Sequence, residues 1–146
     1  ELKGMGTTAV VAVVKGDEVA IAHVGDSRIY LVNESLTQLT RDHSIVQTLI
    51  ESGEITPEAA EKHPRKNVIT RALGVEGDVA VDTAELKLSD NEALLLCTDG
   101  LTNFTSSDDI LKTFKENDIS LVPEMLVNLA NQGGGGDNIT VVTLKR

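Results

Sequence analysis

Three aspartates stand where apolar, strand-like runs meet glycine: Gly25-Asp26-Ser27-Arg28, Thr98-Asp99-Gly100 and Gly136-Asp137-Asn138. Asp26 and Asp99 follow the runs at residues 19–24 and 93–97, whereas Asp137 precedes the run at 139–144. If the second and third runs pair antiparallel, the end of one lies beside the start of the other, and Asp99 and Asp137 converge on one sheet edge. Converging carboxylates repel unless a positive charge sits between them. A hard divalent cation with oxygen ligands, magnesium or manganese, suits that position best.

Elements that could position these residues are legible on both sides. Residues 7–14, 19–24, 29–32 and 36–39 read as antiparallel strands, separated by the turn signals Lys15-Gly16-Asp17 and Asn33-Glu34-Ser35. A helical block interrupts them. Ser44-Ile45-Val46-Gln47 has capping-box form, Ile45/Leu49 and Val46/Ile50 stack at helical spacing, and Gly53 marks the stop. Thr56-Pro57-Glu58 opens a second short helix that His63-Pro64 ends. This block, about residues 42–70, reads as a surface flap. Strands resume at 79–86 and 93–97, the latter apolar at every position, as in a strand buried on both faces. One helix is carried by Ile110, Leu111 and Phe114, and a second by Val122, Met125, Leu126, Leu129 and Ala130 up to Gly133. The four glycines at 133–136 read as a tight loop before a last, buried-type strand.

Composition narrows the class. The 146 residues make one domain, and a formal charge of −10 argues against nucleic acid or an anionic membrane as partner. The single cysteine, Cys97, excludes an internal disulfide and a thiolate-rich zinc site, and its apolar surroundings suit a core thiol. No apolar stretch reaches membrane-spanning length and no secretory pattern is visible, so a cytoplasmic monomer is expected. The chain opens on Glu1-Leu2-Lys3-Gly4 without an initiator Met, which suggests that its beginning is missing.

Several polar residues have plainer readings. Asp26 is as well suited to a cap bonded to Ser27 or Arg28 as to a metal. Arg28 pairs with Asp26 or meets a substrate; the sequence leaves both open. His23, inside a strand, reads as a satisfied structural histidine. His43 and His63 border the flap and suit surface or capping roles better than substrate contact. Asp108 and Asp109 favour a helix start, and Glu116-Asn117-Asp118 a solvated helix end. The loop at 133–137 lacks the Lys-Ser/Thr of a P-loop and precedes a strand, so nucleotide binding is disfavoured.

Taken in order, the motifs resemble the metal-dependent protein phosphatases of the protein phosphatase 2C type, small bacterial members in particular. Gly4-Met5-Gly6-Thr7-Thr8, His23-Val24-Gly25-Asp26-Ser27-Arg28, Leu39-Thr40-Arg41-Asp42-His43-Ser44, Arg71-Ala72-Leu73-Gly74, Leu95-Leu96-Cys97-Thr98-Asp99-Gly100-Leu101 and Gly136-Asp137-Asn138-Ile139-Thr140-Val141-Val142 all carry it. The resemblance implies an α+β fold, the α-β-β-α sandwich of two antiparallel sheets flanked by helices. It implies hydrolysis of phosphoserine and phosphothreonine in proteins, in opposition to bacterial Ser/Thr kinases, by a hydroxide bridging two Mn2+ or Mg2+ ions. Phosphorylated proteins, a partner kinase among them, would be the substrates. Asp99 and Asp137 would hold the second metal and Asp26 a third, weaker one. Gly100 and Gly136 would turn the backbone toward the ions, and the Asn138 amide would brace that turn. The family's upstream Arg and acidic pair and its Asp-Gly-x-Gly-Gly segment have no counterpart among these residues. Residues 1–146 therefore read as the C-terminal part of such a domain, inactive in isolation. A catalytically silent regulatory or pseudophosphatase module on the same scaffold is the alternative.

Overall fold

The computed structural model describes residues 4–75 and 77–146. Two antiparallel sheets stack face to face. One carries β1 (Ala9–Lys15), β2 (Glu18–Val24) and β5 (Asp82–Lys87) in the order β1-β2-β5. The other carries β3 (Arg28–Val32), β4 (Leu36–Gln38), β6 (Ala93–Cys97) and β7 (Val141–Lys145) in the order β4-β3-β6-β7. The chain crosses from the first sheet to the second between β2 and β3, through residues 25–27.

Strand β6 shows why the middle of the fold is apolar on consecutive residues. Its side chains alternate between two cores. Leu94 and Leu96 join Val19, Ile21 and Ile29 between the sheets. Ala93, Leu95 and Cys97 face the helices, with Tyr30 and Val32 of β3 beside them. Leu94 and Leu95 are both fully buried, each contributing about 1.5–3 kcal/mol over an exposed position.

The helix layer packs on the second core through α3 (Asp99–Thr102), α4 (Ser107–Glu116) and α5 (Val122–Gln132). Ser106 caps α4 by accepting from the Asp109 N–H at 3.1 Å, with Asp108 and Asp109 in the first turn and Ile110 buried. In α5, Val122, Leu126 and Ala130 form the buried stripe at four-residue spacing. Two further helices, α1 (Ile45–Glu51) and α2 (Pro57–Glu61), start at the side-chain caps Ser44 and Thr56. In α1 only half the capping box closes, because the Gln47 side chain turns to Glu51 instead of back to the cap. No helix among the described residues is long and apolar enough to cross a membrane.

Strand ends shift by one to three residues from the sequence reading, and three departures are instructive. The strand expected from residue 79 begins at Asp82, which pairs with His23, because β2 leaves the sheet two residues later. The last strand is not buried: β7 lies at the sheet edge, with Val142 53% exposed. Helix α3 had no periodic signal; its four residues follow β6 after Thr98 alone. The outward face of the first sheet is open at Val11 and Val13, while α3–α5 cover the outer side of the other sheet.

Candidate functional site

Asp99 and Asp137 meet because β6 and β7 pair as the sequence suggested, with Cys97 opposite Val141. Thr98 locks the two strand ends together. Its N–H donates to the Thr140 carbonyl at 3.1 Å, its hydroxyl accepts from the Thr140 N–H at 3.0 Å, and the hydroxyl donates to the Asn138 carbonyl. Asp99 is then the first residue of α3. Gly100 lies against the other loop so tightly that an added Cβ would fall 2.2 Å from the Asn138 carbonyl oxygen. Its small size therefore serves close approach and not a backbone turn. Gly136 has no positive φ either; Gly134 and Gly135 supply that geometry. The expected amide brace is also replaced. The Asp137 carboxylate accepts from the Asn138 N–H at 2.7 Å, and the Asn138 carbonyl, not its side chain, meets Thr98.

Asp26 comes from the crossover between the sheets. Gly25 takes φ +106°, and an added Cβ there would meet Thr8 Cγ2 at 2.4 Å. Neither partner of the capping alternative bonds Asp26. The Ser27 hydroxyl pairs with Thr8 at 2.8 Å. Arg28 grips Asp42, with Nε to the carboxylate oxygens at 2.9 and 3.1 Å and Nη2 at 2.6 Å, and donates to the Tyr30 hydroxyl at 3.0 Å. Burial works against the Arg28 charge, and the hydrogen bonds and charge of Asp42 overcome it, leaving the guanidinium more firmly protonated than usual. The sequence offered Asp26 or a substrate as the partner of Arg28; the Asp42 clamp is neither.

The three aspartates share one electrostatic environment. Burial, followed by the charge of Asp99, raises Asp26 from 3.8 to about 6, with Asp42 adding to the repulsion. Burial and the charge of Asp137 raise Asp99 as well. Nearby Arg28 only tempers both shifts. Among the described residues, no Lys or Arg forms an ion pair with Asp26, Asp99 or Asp137. Carboxylates pushed up by burial and one another are a donor set short of a cation. Oxygen donors of this kind fit a hard divalent ion.

A second polar group, close to the first, is complete without an ion. His43 Nδ1 accepts from the Gly25 N–H at 3.0 Å, so its proton sits on Nε2, 3.1 Å from Asp82 Oδ2. Arg71 reaches the other Asp82 oxygen at 2.8 Å. His23 stacks on His43 with ring centroids 4.6 Å apart, and its Nε2 meets the Arg41 carbonyl at 2.8 Å. His23, His43 and Asp82 lie near enough to share a metal, but Arg71 already provides the positive charge. His23 is thus structural, whereas His43, expected in a surface or capping role, is buried. His63 holds a turn, its Nδ1 accepting from the Arg65 N–H. Cys97 is a core thiol, pushed by burial to about 12.

A cleft of about 710 Å³ runs between α1 and α2 on one side and residues 102–106 on the other. Arg28, Asp42, Lys62, Lys66 and Phe104 are among its lining residues. Asp42 and Tyr30, the partners of Arg28, were missed from sequence because they lie 14 and 2 residues away in a pattern that only the paired strands create.

Comparison with known proteins agrees with this architecture. The family model described as protein phosphatase 2C matches residues 1–49. The serine/threonine phosphatase stp of Listeria monocytogenes is 49% identical over the whole of this chain and 59% of its own length. The protein phosphatase PhpP of Streptococcus pneumoniae is 44% identical over 95% of the chain and 57% of its own. The crystal structure of the Mycobacterium tuberculosis serine/threonine phosphatase PstP/Ppp superposes with a TM-score of 0.93 at 38% identity, covering 99% of this chain and 63% of that one. A PstP catalytic domain in complex with two manganese ions superposes at 0.82 with 39% identity, covering 97% and 59% respectively. The chain spans about three fifths of the length of these Listeria and Streptococcus relatives.

Proposed function

This chain belongs to the protein phosphatase 2C family, and from that premise we propose that the protein is a metal-dependent phosphatase acting on phosphoserine and phosphothreonine in other proteins. The observation that carries the reading is the convergence of Asp26, Asp99 and Asp137 without a cationic partner of their own, Asp26 and Asp99 being raised by burial and by the neighbouring carboxylates. Asp99 and Asp137 hold one ion of a manganese or magnesium pair, and Asp26 a third, weaker ion. When bound, the ions supply the Lewis acidity that makes water a nucleophile toward phosphorus at neutral pH. No side-chain nucleophile is needed.

The chain's own residues do the positioning. Thr98 and Gly100 bring the Asp99 and Asp137 loops together. Arg28, fixed by Asp42, keeps a positive charge near the carboxylates without neutralising them. Residues 42–70 form a flap over the cleft, where Lys62 and Lys66 complement an anionic phosphopeptide. The protein opposes a Ser/Thr kinase, takes phosphoproteins, the kinase included, as substrates, and works as a monomer in the cytoplasm. Residues 1–146 make up part of the catalytic domain, and alone they hydrolyse phosphate esters poorly.

The test is manganese-dependent hydrolysis of a phosphothreonine peptide by the protein at its full natural length, beside Asp99→Asn. Activity that needs manganese and collapses in the variant supports the reading. A folded, manganese-loaded protein without activity would overturn it.

A further inference from the structure

His43 grips the Gly25 peptide at both of its polar groups. Its backbone N–H donates to the Gly25 carbonyl at 2.9 Å, and its ring Nδ1 accepts from the Gly25 N–H at 3.0 Å. The far side of the ring is anchored on Asp82, which Arg71 holds in turn. The His43 carbonyl accepts from the Thr70 N–H at 2.8 Å. Through its backbone and its ring, the one buried residue His43 thus ties together the β2–β3 crossover, both chain segments that flank α1 and α2, and the start of β5. The clamp falls on a glycine at φ +106°, the residue type with the most backbone freedom to lose. The next residue is Asp26.

We propose that His43 is a positioning residue for Asp26: by clamping the Gly25 peptide it sets where the Asp26 carboxylate stands relative to Asp99, and so how tightly the weakest cation site binds. This rests on the reading of Asp26 as a cation ligand. Groups that orient a ligand without touching the ion typically govern about 10–100-fold in affinity.

Two near-isosteres separate the clamp from mere support of the fold. Asn at position 43 places its amide oxygen near the site of Nδ1 and keeps an acceptor for the Gly25 N–H. Gln places its amide near Nε2, keeping the Asp82 contact and losing that acceptor. Manganese binding to the full-length protein, measured by calorimetry without substrate, reads the difference, with Asp26→Asn as reference. His43→Gln is expected to weaken the weakest site about tenfold or more, and His43→Asn by no more than about twofold. Equal binding by the two variants, whether both intact or both weakened, overturns the proposal. If His43→Gln does not fold, Asp82→Asn loosens the ring from its other side at a half-exposed residue. It should weaken the same site about threefold, and unchanged binding would overturn the proposal. Should Asp26→Asn leave every site intact, the ligand assignment fails first. Loss of a site in Asp26→Asn beside normal binding in His43→Gln defeats the positioning role alone.

Discussion

Two carboxylate groups lie at the same end of the stacked sheets, joined by the Gly25–His43 contact, and they behave oppositely. Asp82 is pulled down to about 2 by the hydrogen bond from His43 and then by Arg71. Asp26 is pushed up to about 6 by burial and Asp99. Residue type is the same; what differs is whether the chain supplies the counter-charge. The Asp82 knot is closed, with His43 and Arg71 already bonded to it, so it acts as architecture. The Asp26, Asp99 and Asp137 group is open, held in place by neighbours that do not neutralise it. Open charge of this kind marks a site built for something from outside the chain.

The sharpest way to break that contrast is to neutralise one carboxylate in each group. In the full-length protein, Asp99→Asn should lower manganese-dependent peptide hydrolysis by on the order of 10²-fold or more, while the metal-free melting temperature stays level or rises as repulsion is relieved. A clear fall in metal-free stability would place Asp99 with the architecture instead. Gly100→Ala tests the joint between the two loops. Its Cβ would collide with the Asn138 carbonyl, an overpacking that costs about 1–3 kcal/mol, read in denaturant unfolding together with weaker manganese binding.

Manganese at about a hundred times its dissociation constant should stabilise the protein by about 2.7 kcal/mol. Asp82→Asn should keep most of that gain in thermal melts, and Asp99→Asn should lose it. Asp82→Asn itself should cost about 1 kcal/mol, since the carboxylate and Arg71 are partly solvated and the Asn amide oxygen still accepts from the buried His43. The smallest effect is its pH dependence. A carboxylate held low in the folded state contributes stability that is fully present above its unfolded value of 3.8 and is lost as pH falls through about 2. The melting-temperature gap between the protein and Asp82→Asn should narrow across that window.

How much of this was legible before folding depends on the range over which each feature is decided. Short-range chemistry was readable. Ser44 and Thr56 cap their helices as their hydroxyls suggested, Ile110, Leu111 and Phe114 share a helix face, and the unbroken apolar run of β6 marked a strand between two cores. The convergence of Asp99 with Asp137 was also within reach, because antiparallel pairing of two runs forces it.

Features decided by contacts distant in sequence were not. Arg28 chose Asp42, the loop at Asn138 is closed by Thr98 and not by its own amide, β7 turned out to be an edge, and His43, expected in a surface or capping role, lies at the centre of a buried knot. Hydrogen-bond partners of polar side chains depend on which backbone groups the sheets leave nearby, and periodicity carries no record of that. The sequence by itself determined the alternating cores, the helix starts and which carboxylates stand at strand ends, because those follow from local propensity and hydrophobic spacing. Only the tertiary structure decided which of those carboxylates receive a counter-charge from the chain and which are left open, because partnership at a few ångströms is set by packing.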